Sequence, residues 1–237
     1  MKVFIQREGG EFSNINYLTS FLGFREMGYE TEFFEWNRLD QLPLTQETVV
    51  HGGIRAVVRA LAKLGHAPPT MPSLPQSLAR FAKRRTWTTT LSEVREHMGA
   101  EHPEPIFIKP LASDRKLFTG QVLRQFRDLL DTVKFPAELT VECSEVVCFV
   151  SEYRAFVLRS EVIGFKNYKG DFRLFPDFKV VDAAVAEFAD APVAYALDVG
   201  LTELGETLLV EVNDSFSLGC YGLSPIRYTK GDRATME

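Results

Sequence analysis

The chain has 237 residues, 45% hydrophobic and 25% charged, with a net charge of -5, the mix of an ordinary globular protein of one large or two small domains. The acidic balance and the lack of a basic run argue against nucleic acid as an electrostatically held partner. The three cysteines, Cys143, Cys148 and Cys220, form no Cys-x-x-Cys pair, which argues against a disulfide framework or zinc site. The charged start, Met1-Lys-Val-Phe-Ile-Gln-Arg-Glu8, reads as a strand and not a signal peptide. No apolar run has transmembrane length, so a cytoplasmic protein without membrane contact is expected.

Residues 2–6 predict a first strand. Asn14 to Gly28 reads as a helix with Asn14 as cap and Gly28 as stop. Thr31–Trp36 is a second strand, and Val49-Val50 a short third one followed by His51-Gly52-Gly53. Helical apolar spacing runs from Ile54 to Leu64 and ends at Gly65. This alternation predicts a small α/β unit with a parallel sheet over residues 1–68. Four prolines in Ala67–Pro75 break regular structure and mark a linker, so residues 69–237 are expected to form a second domain.

That second part opens with a helix, Gln76–Arg85, ending in Lys83-Arg84-Arg85. A strand, Ile106–Lys109, stops at Pro110, and a loop over residues 112–120 leads to a helix over Val122–Thr132. A β-rich block spans Leu139–Lys166 with a tight turn at Ser160-Glu161. A helix over Phe178–Ala189 precedes a hairpin turning at Leu204-Gly205. Strands and helices segregated around an antiparallel sheet predict α+β architecture.

Five features bear on chemistry. The final hairpin sets Asp198 opposite Glu211, with Asn213 two residues on. Like charges directly opposed destabilise a sheet, so a cation between them is a natural reading. Carboxylate and amide oxygens suit Mg²⁺, which commonly also holds substrate phosphates; ordinary surface acids fit the same pattern. Strand alternation puts these acids on the side of Ala194 and Ala196, leaving room for a ligand above the sheet. Lys109, ending an apolar strand, is placed to meet a phosphate. In the β-rich block, Glu152, Arg154 and Phe156 share a face, so Glu152 and Arg154 are placed to pair. Asn167–Asp171 reads as a polar turn after a hairpin, and Asp214–Gly222 as a small-residue loop suited to substrate contacts. Cys220 has no partner pattern for a nucleophile.

The order of these pieces resembles the ATP-grasp superfamily over residues of roughly 75–222: lysine strand, Glu145-Val146-Val147, Glu152-x-Arg154, then Asp198 and Glu211-x-Asn213. The likeness is to a compact bacterial and phage clade, with the N-terminal unit matching a pre-grasp domain. The resemblance implies an ATP-dependent carboxylate–amine, peptide-type ligase working through an acyl phosphate. ATP would be bound by Lys109, by Glu145, Val146 and Val147 at the adenine, and by Glu152 at the ribose. Mg²⁺, or Mn²⁺, would sit on Asp198, Glu211 and Asn213, and Arg154 would stabilise the moving phosphoryl group. The loop over residues 112–120, with Lys116 and Gly120, would be a flap over the phosphates. Lys83 and Arg85 compete for the role of an early phosphate-binding residue. The small-molecule or peptide substrate, bearing a carboxylate and an amine, would meet Tyr168, Asp171, Ser215 and Tyr221. A phosphotransferase acting like a kinase and a non-catalytic ATP-binding module are the alternatives.

Overall fold

The computed structural model describes residues 1–67, 71–111, 117–216 and 218–234. The first unit comprises β1 (Lys2–Gln6), α1 (Ile15–Glu26), β2 (Glu30–Phe34), β3 (Thr48–His51) and α2 (Ile54–Lys63). Its parallel sheet has the order β2-β1-β3. Central β1 buries Val3, Phe4 and Ile5 completely, as a parallel strand covered on both faces must. Val3 and Ile5 pack with Phe24 of α1, while Phe4 packs with Ala56 and Ala60 of α2. The side chain of Asn14 caps α1 by accepting from the Asn16 amide at 2.9 Å, and Gly28 takes the left-handed conformation (φ 82°) just beyond the helix.

The second unit runs through α3 (Ala79–Ala82), β4 (Thr86–Thr90), α4 (Leu91–Met98), β5 (Ile106–Pro110), β6 (Gln121–Leu123) and β7 (Thr140–Glu145). Its antiparallel sheet has the order β4-β7-β5-β6. Alternation in β5 buries Ile106 and Ile108 against Leu91, Val94 and Met98 of α4. Phe107 and Lys109 therefore project from the opposite face.

The third unit holds β8 (Phe149–Leu158), β9 (Glu161–Gly170), α5 (Phe178–Glu187), β10 (Ala194–Thr202), β11 (Thr207–Asp214) and α6 (Pro225–Ala234), with sheet order β11-β10-β8-β9, all antiparallel. One face packs Tyr153, Ala155, Leu197 and Val199 against α5 and against Met71, Leu78 and Phe81. Helix α6 returns to α1, where a Cβ on Gly23 would collide with the Pro225 carbonyl, so only glycine permits this approach. Ser20 Oγ and His51 Nδ1 both bond Asp232 Oδ2, at 2.9 Å each, in a fully buried network joining α1, β3 and α6.

The fold is the predicted α+β class, but several elements differ. The helix expected over Gln76–Arg85 is a 3-10 turn, Gln76–Leu78, plus the four residues of α3; Lys83 adopts φ 46° and ends it. Strand β4 carries no apolar alternation in Thr86–Thr90 to mark it, whereas α4 does carry a signal, the Thr90–Glu93 capping box with Leu91, Val94 and Met98 at helical spacing. Val122–Thr132 splits into β6 and a 3-10 turn, Phe126–Thr132. Asn167–Gly170 is no turn but the end of β9. Ala196 does not leave open space: it is buried against Phe156, Leu218 and Tyr228. Among the described residues no helix is long and apolar enough to cross a membrane.

Candidate active site

The β10–β11 register sets Asp198 opposite Glu211 and Ala196 opposite Asn213. On the other side of β10, Asp198 lies opposite Arg154 of β8. Arg154 grips Asp198 in a two-pronged pair, Nε to Oδ1 and Nη2 to Oδ2, both 2.7 Å. The two residues are 7% and 2% exposed, so this pair is desolvated and replaces the Glu152–Arg154 pair expected from alternation. The Asn213 amide nitrogen donates to Asp198 Oδ2 at 3.3 Å and to Glu211 Oε1 at 3.1 Å. Lys109 Nζ, reaching over from the second unit, donates to Glu211 Oε2 at 3.0 Å and lies 3.6 Å from Glu142. A continuous chain of charge thus runs from Lys109 through Glu211, Asn213 and Asp198 to Arg154.

Beside it lies a cleft of about 460 Å³ between the second and third units, within the size range of ligand pockets. Its lining includes Phe107 and Lys109, the segment Glu145–Phe149 that joins the two sheets, Glu152, Tyr168 and Glu211. Glu152 is buried and accepts from the Tyr168 hydroxyl at 2.7 Å and from the Lys169 ammonium. Tyr168 stacks on Tyr221 with ring centroids 5.2 Å apart, and the Arg154 guanidinium lies 5.2 Å from the Tyr221 ring. Tyr221 takes a left-handed backbone (φ 44°), a strained state for an aromatic residue that the loop must impose.

Burial raises the Asp198 carboxyl above the ordinary carboxylate range, with Arg154 opposing and Glu211 and Glu152 adding to the rise. Burial acts the same way on Glu211, but Lys109, the Asn213 amide and Arg154 outweigh it and hold that carboxyl low. Burial among Asp198 and Glu152 pushes the Tyr168 phenol far up, so it stays a donor.

The structure thus brings Lys109, Arg154, Asp198, Glu211, Asn213, Glu152, Tyr168 and Tyr221 together, with Glu145, Val146 and Val147 along the cleft. Other expected residues lie elsewhere. Arg85 is exposed over the Trp87 ring and Lys83 pairs with Glu206 at the surface, so neither lines the cleft. Asp171 is engaged by Arg173 in a turn, which holds its carboxyl low, at about 2. Ser215 is buried toward Gly231 of α6. Lys116 lies outside the described residues. Sequence reasoning missed Arg84, whose guanidinium bonds the Leu209 and Val210 carbonyls of β11, and Glu142, which accepts Ser73 Oγ at 2.7 Å. Alternation along Val141-Glu142-Cys143 would have exposed Glu142. Arg84 was hidden by the left-handed turn at Lys83, which resets which neighbour faces inward.

Two further sheets behind a small parallel unit, closed on a cleft with a Lys, Arg, Asp and Glu-x-Asn set, define the ATP-grasp fold. A family model, the ATP-grasp domain of R2K clade family 2, matches residues 81–231, and the chain belongs to that family. Among curated proteins nothing matches. Similar solved structures include the D-cycloserine synthetase DcsG, 13% identical over 100% of both chains with a TM-score of 0.59. A RimK domain ATP-grasp protein from Sphaerobacter thermophilus is 14% identical over 100% of this chain and 97% of that one, with a TM-score of 0.57. The ATP-grasp ligase PsnB complexed with minimal precursor, Mg and ADP is 15% identical over 100% and 97%, with a TM-score of 0.51. At these identities the likeness concerns the fold.

Proposed function

We propose that this protein is an ATP-dependent carboxylate–amine ligase that acts through an acyl phosphate with Mg²⁺, its residues 1–68 forming a pre-grasp domain and 69–237 the grasp. The observation that carries the reading is the unbroken chain of charged and polar side chains from Lys109 to Arg154, assembled from two sheets beside one cleft that Lys109 and Glu211 line.

In this reading the adenine lies along Glu145–Val147, and Glu152 meets the ribose hydroxyls after releasing Lys169 or Tyr168. Lys109 turns from Glu211 toward the phosphates, whose charge it offsets. Asp198, Glu211 and Asn213 would hold Mg²⁺ or Mn²⁺. Their chemistry suits it: two carboxylates and an amide are the few protein oxygens a Mg²⁺–phosphate site needs, although no group of three or more His, Cys, Asp or Glu side chains gathers for a metal among the described residues. The Asn213 nitrogen now bridges the two acids; a cation would favour the reversed amide, with Oδ1 inward. Bound there, the ion would supply charge neutralisation on the phosphates.

The substrate carboxylate attacks the γ-phosphorus of ATP, the bond to the β–γ bridging oxygen breaks, and ADP leaves. The amine then attacks the acyl carbon, inorganic phosphate departs, and the amine's proton passes to solvent or phosphate. Arg154, fixed by Asp198, spreads the developing negative charge. The test is mass spectrometry of reactions with ATP, Mg²⁺ and pooled amino acids and peptides. ADP, phosphate and a condensation product support the ligase. A stable phosphorylated product supports phosphotransfer instead. ATP binding without ADP across the panel sinks both.

A further inference from the structure

The substrate end of the site carries a charge imbalance of its own. On the cleft-facing side of the third sheet, Arg154 is matched by Asp198, Lys169 by Glu152 and Glu211 by Lys109. Lys166 is the exception: half-buried on β9, its ammonium has no hydrogen bond or ion pair among the described residues. It lies directly opposite Arg154 in the β8–β9 register. Directly opposed residues share a face with Cβ atoms about 5 Å apart, and like charges there destabilise the sheet. One carboxylate, Asp198, already spent on both prongs of Arg154, serves two facing cations.

The same wall continues toward α6. The Arg227 guanidinium anchors on the Ile163 carbonyl at 2.8 Å and has no carboxylate partner among the described residues. Between the two cations, Gly164 has no side chain and the buried Leu223 packs on it, so no further charged group stands between them. Tyr168 and Tyr221 close the side nearest Arg154. Ile163 to Lys166 spans roughly 10 Å of strand at about 3.3 Å per residue.

From this we infer that Lys166, with Arg227 at the rim, determines specificity for an organic substrate bearing a second anionic group beyond the carboxylate that is activated: an acidic amino acid or a glutamate- or aspartate-containing peptide. The inference rests on the ligase reading and names its substrate class. Lys166 binds and orients the acid while Lys109 and Arg154 serve the phosphoryl transfer.

The test measures binding of glutamate, and of a tetrapeptide with two central glutamates, to the full chain with Mg²⁺ and a non-hydrolysable ATP analogue. Glutamine and the matching glutamine peptide are the comparison, and ADP release with ATP follows. The acids should bind at least 10-fold better than their amides, the amino acid and peptide arms separating the two sources of the anion. Lys166→Gln should raise KM for the acid at least 10-fold, with kcat within about threefold and KM for ATP unchanged. Lys166→Glu should turn the preference toward the amide. Equal binding of acid and amide, or a preference that survives Lys166→Gln, overturns the inference. So does binding of the ATP analogue with none of the four compounds, a result that leaves the nucleotide site standing. No binding of the analogue by the wild type overturns both.

Discussion

Arg154→Met removes the cation from a carboxylate that is 2% exposed, and its cost follows from what Asp198 loses. Two charge-assisted hydrogen bonds of 2.7 Å disappear, each worth roughly 1.5–3 kcal/mol. Breaking one partner of a buried ion pair costs about 3–5 kcal/mol, so the two routes agree on a loss near 4 kcal/mol. The double variant Arg154→Met/Asp198→Leu leaves no orphaned charge and should recover most of it. The pH dependence is fixed in sign. Burial already raises the Asp198 carboxyl, and Arg154→Met removes the guanidinium that opposes that rise. A raised carboxyl contributes stability that is complete below its unfolded value and fades as pH climbs through the folded one. The penalty of Arg154→Met should therefore be largest at pH 7–8 and shrink toward pH 4. Urea unfolding of the nucleotide-free protein, with Mg²⁺ chelated, compares the wild type with both variants. A single-variant loss under about 1 kcal/mol, or a double variant no more stable than the single, refutes the account of a desolvated, mutually dependent pair.

Lys109→Ala should weaken ATP binding at least 10-fold, about 1.4 kcal/mol, as read by calorimetry; unchanged affinity would remove Lys109 from the phosphate site. Glu211→Gln tests the other direction of pH linkage. The Glu211 carboxyl is held low by Lys109, Asn213 and Arg154 against its burial, so its contribution is present above the ordinary carboxylate value and lost as pH falls through the folded one. The stability gap between wild type and variant should narrow from pH 7 to pH 3, and a constant gap contradicts this. Gly170 has φ 78°, and a Cβ there would strike the Val150 carbonyl. Gly170→Ala should cost about 2–4 kcal/mol from left-handed strain and overpacking, measured by the same unfolding assay. Asp198→Ala should abolish ADP formation; full turnover by that variant would end the ligase reading.

The hairpin was legible because its signal is local. Gly205 turns at φ 80°, and Asp198 meets Glu211 as expected, although the register set at the turn (Leu201 opposite Thr207, Val199 opposite Leu209) shifts by one residue at a bulge between Val199 and Asp198, without which Asp198 would face Val210. The first unit was legible for a similar reason, since its strand–helix–strand–helix order needs only nearest neighbours in sequence. What sequence could not supply was the third strand beside Asp198. Arg154 is as close to Glu152 in alternation as to anything else, and only the β8–β10 pairing, 44 residues apart, decides which acid it takes. Ala196 misled for the same reason. A small residue on a strand reads as open space until a distant segment, here Leu218 and Tyr228, covers it.

That covering segment also explains why the site needs the first unit. The chain leaves Asn213 through the loop bearing Tyr221 and enters α6 directly. Inside that loop the Cys220 amide donates to Asn16 Oδ1 of α1 at 2.9 Å, and in the last turn of α6, Asp232 is fixed by Ser20 and His51. The strained Tyr221 backbone is therefore clamped from both sides by the parallel sheet and its first helix, while its ring is held against Tyr168 and Arg154 in the third sheet. On the proposed ligase reading, the nucleotide-contacting groups come from the second and third units, while the loop assigned to the substrate end is held by the first. Weakening the clamp by Asn16→Ala should thus disturb the organic substrate's KM before it disturbs that of ATP, and equal effects on both would contradict this division of labour.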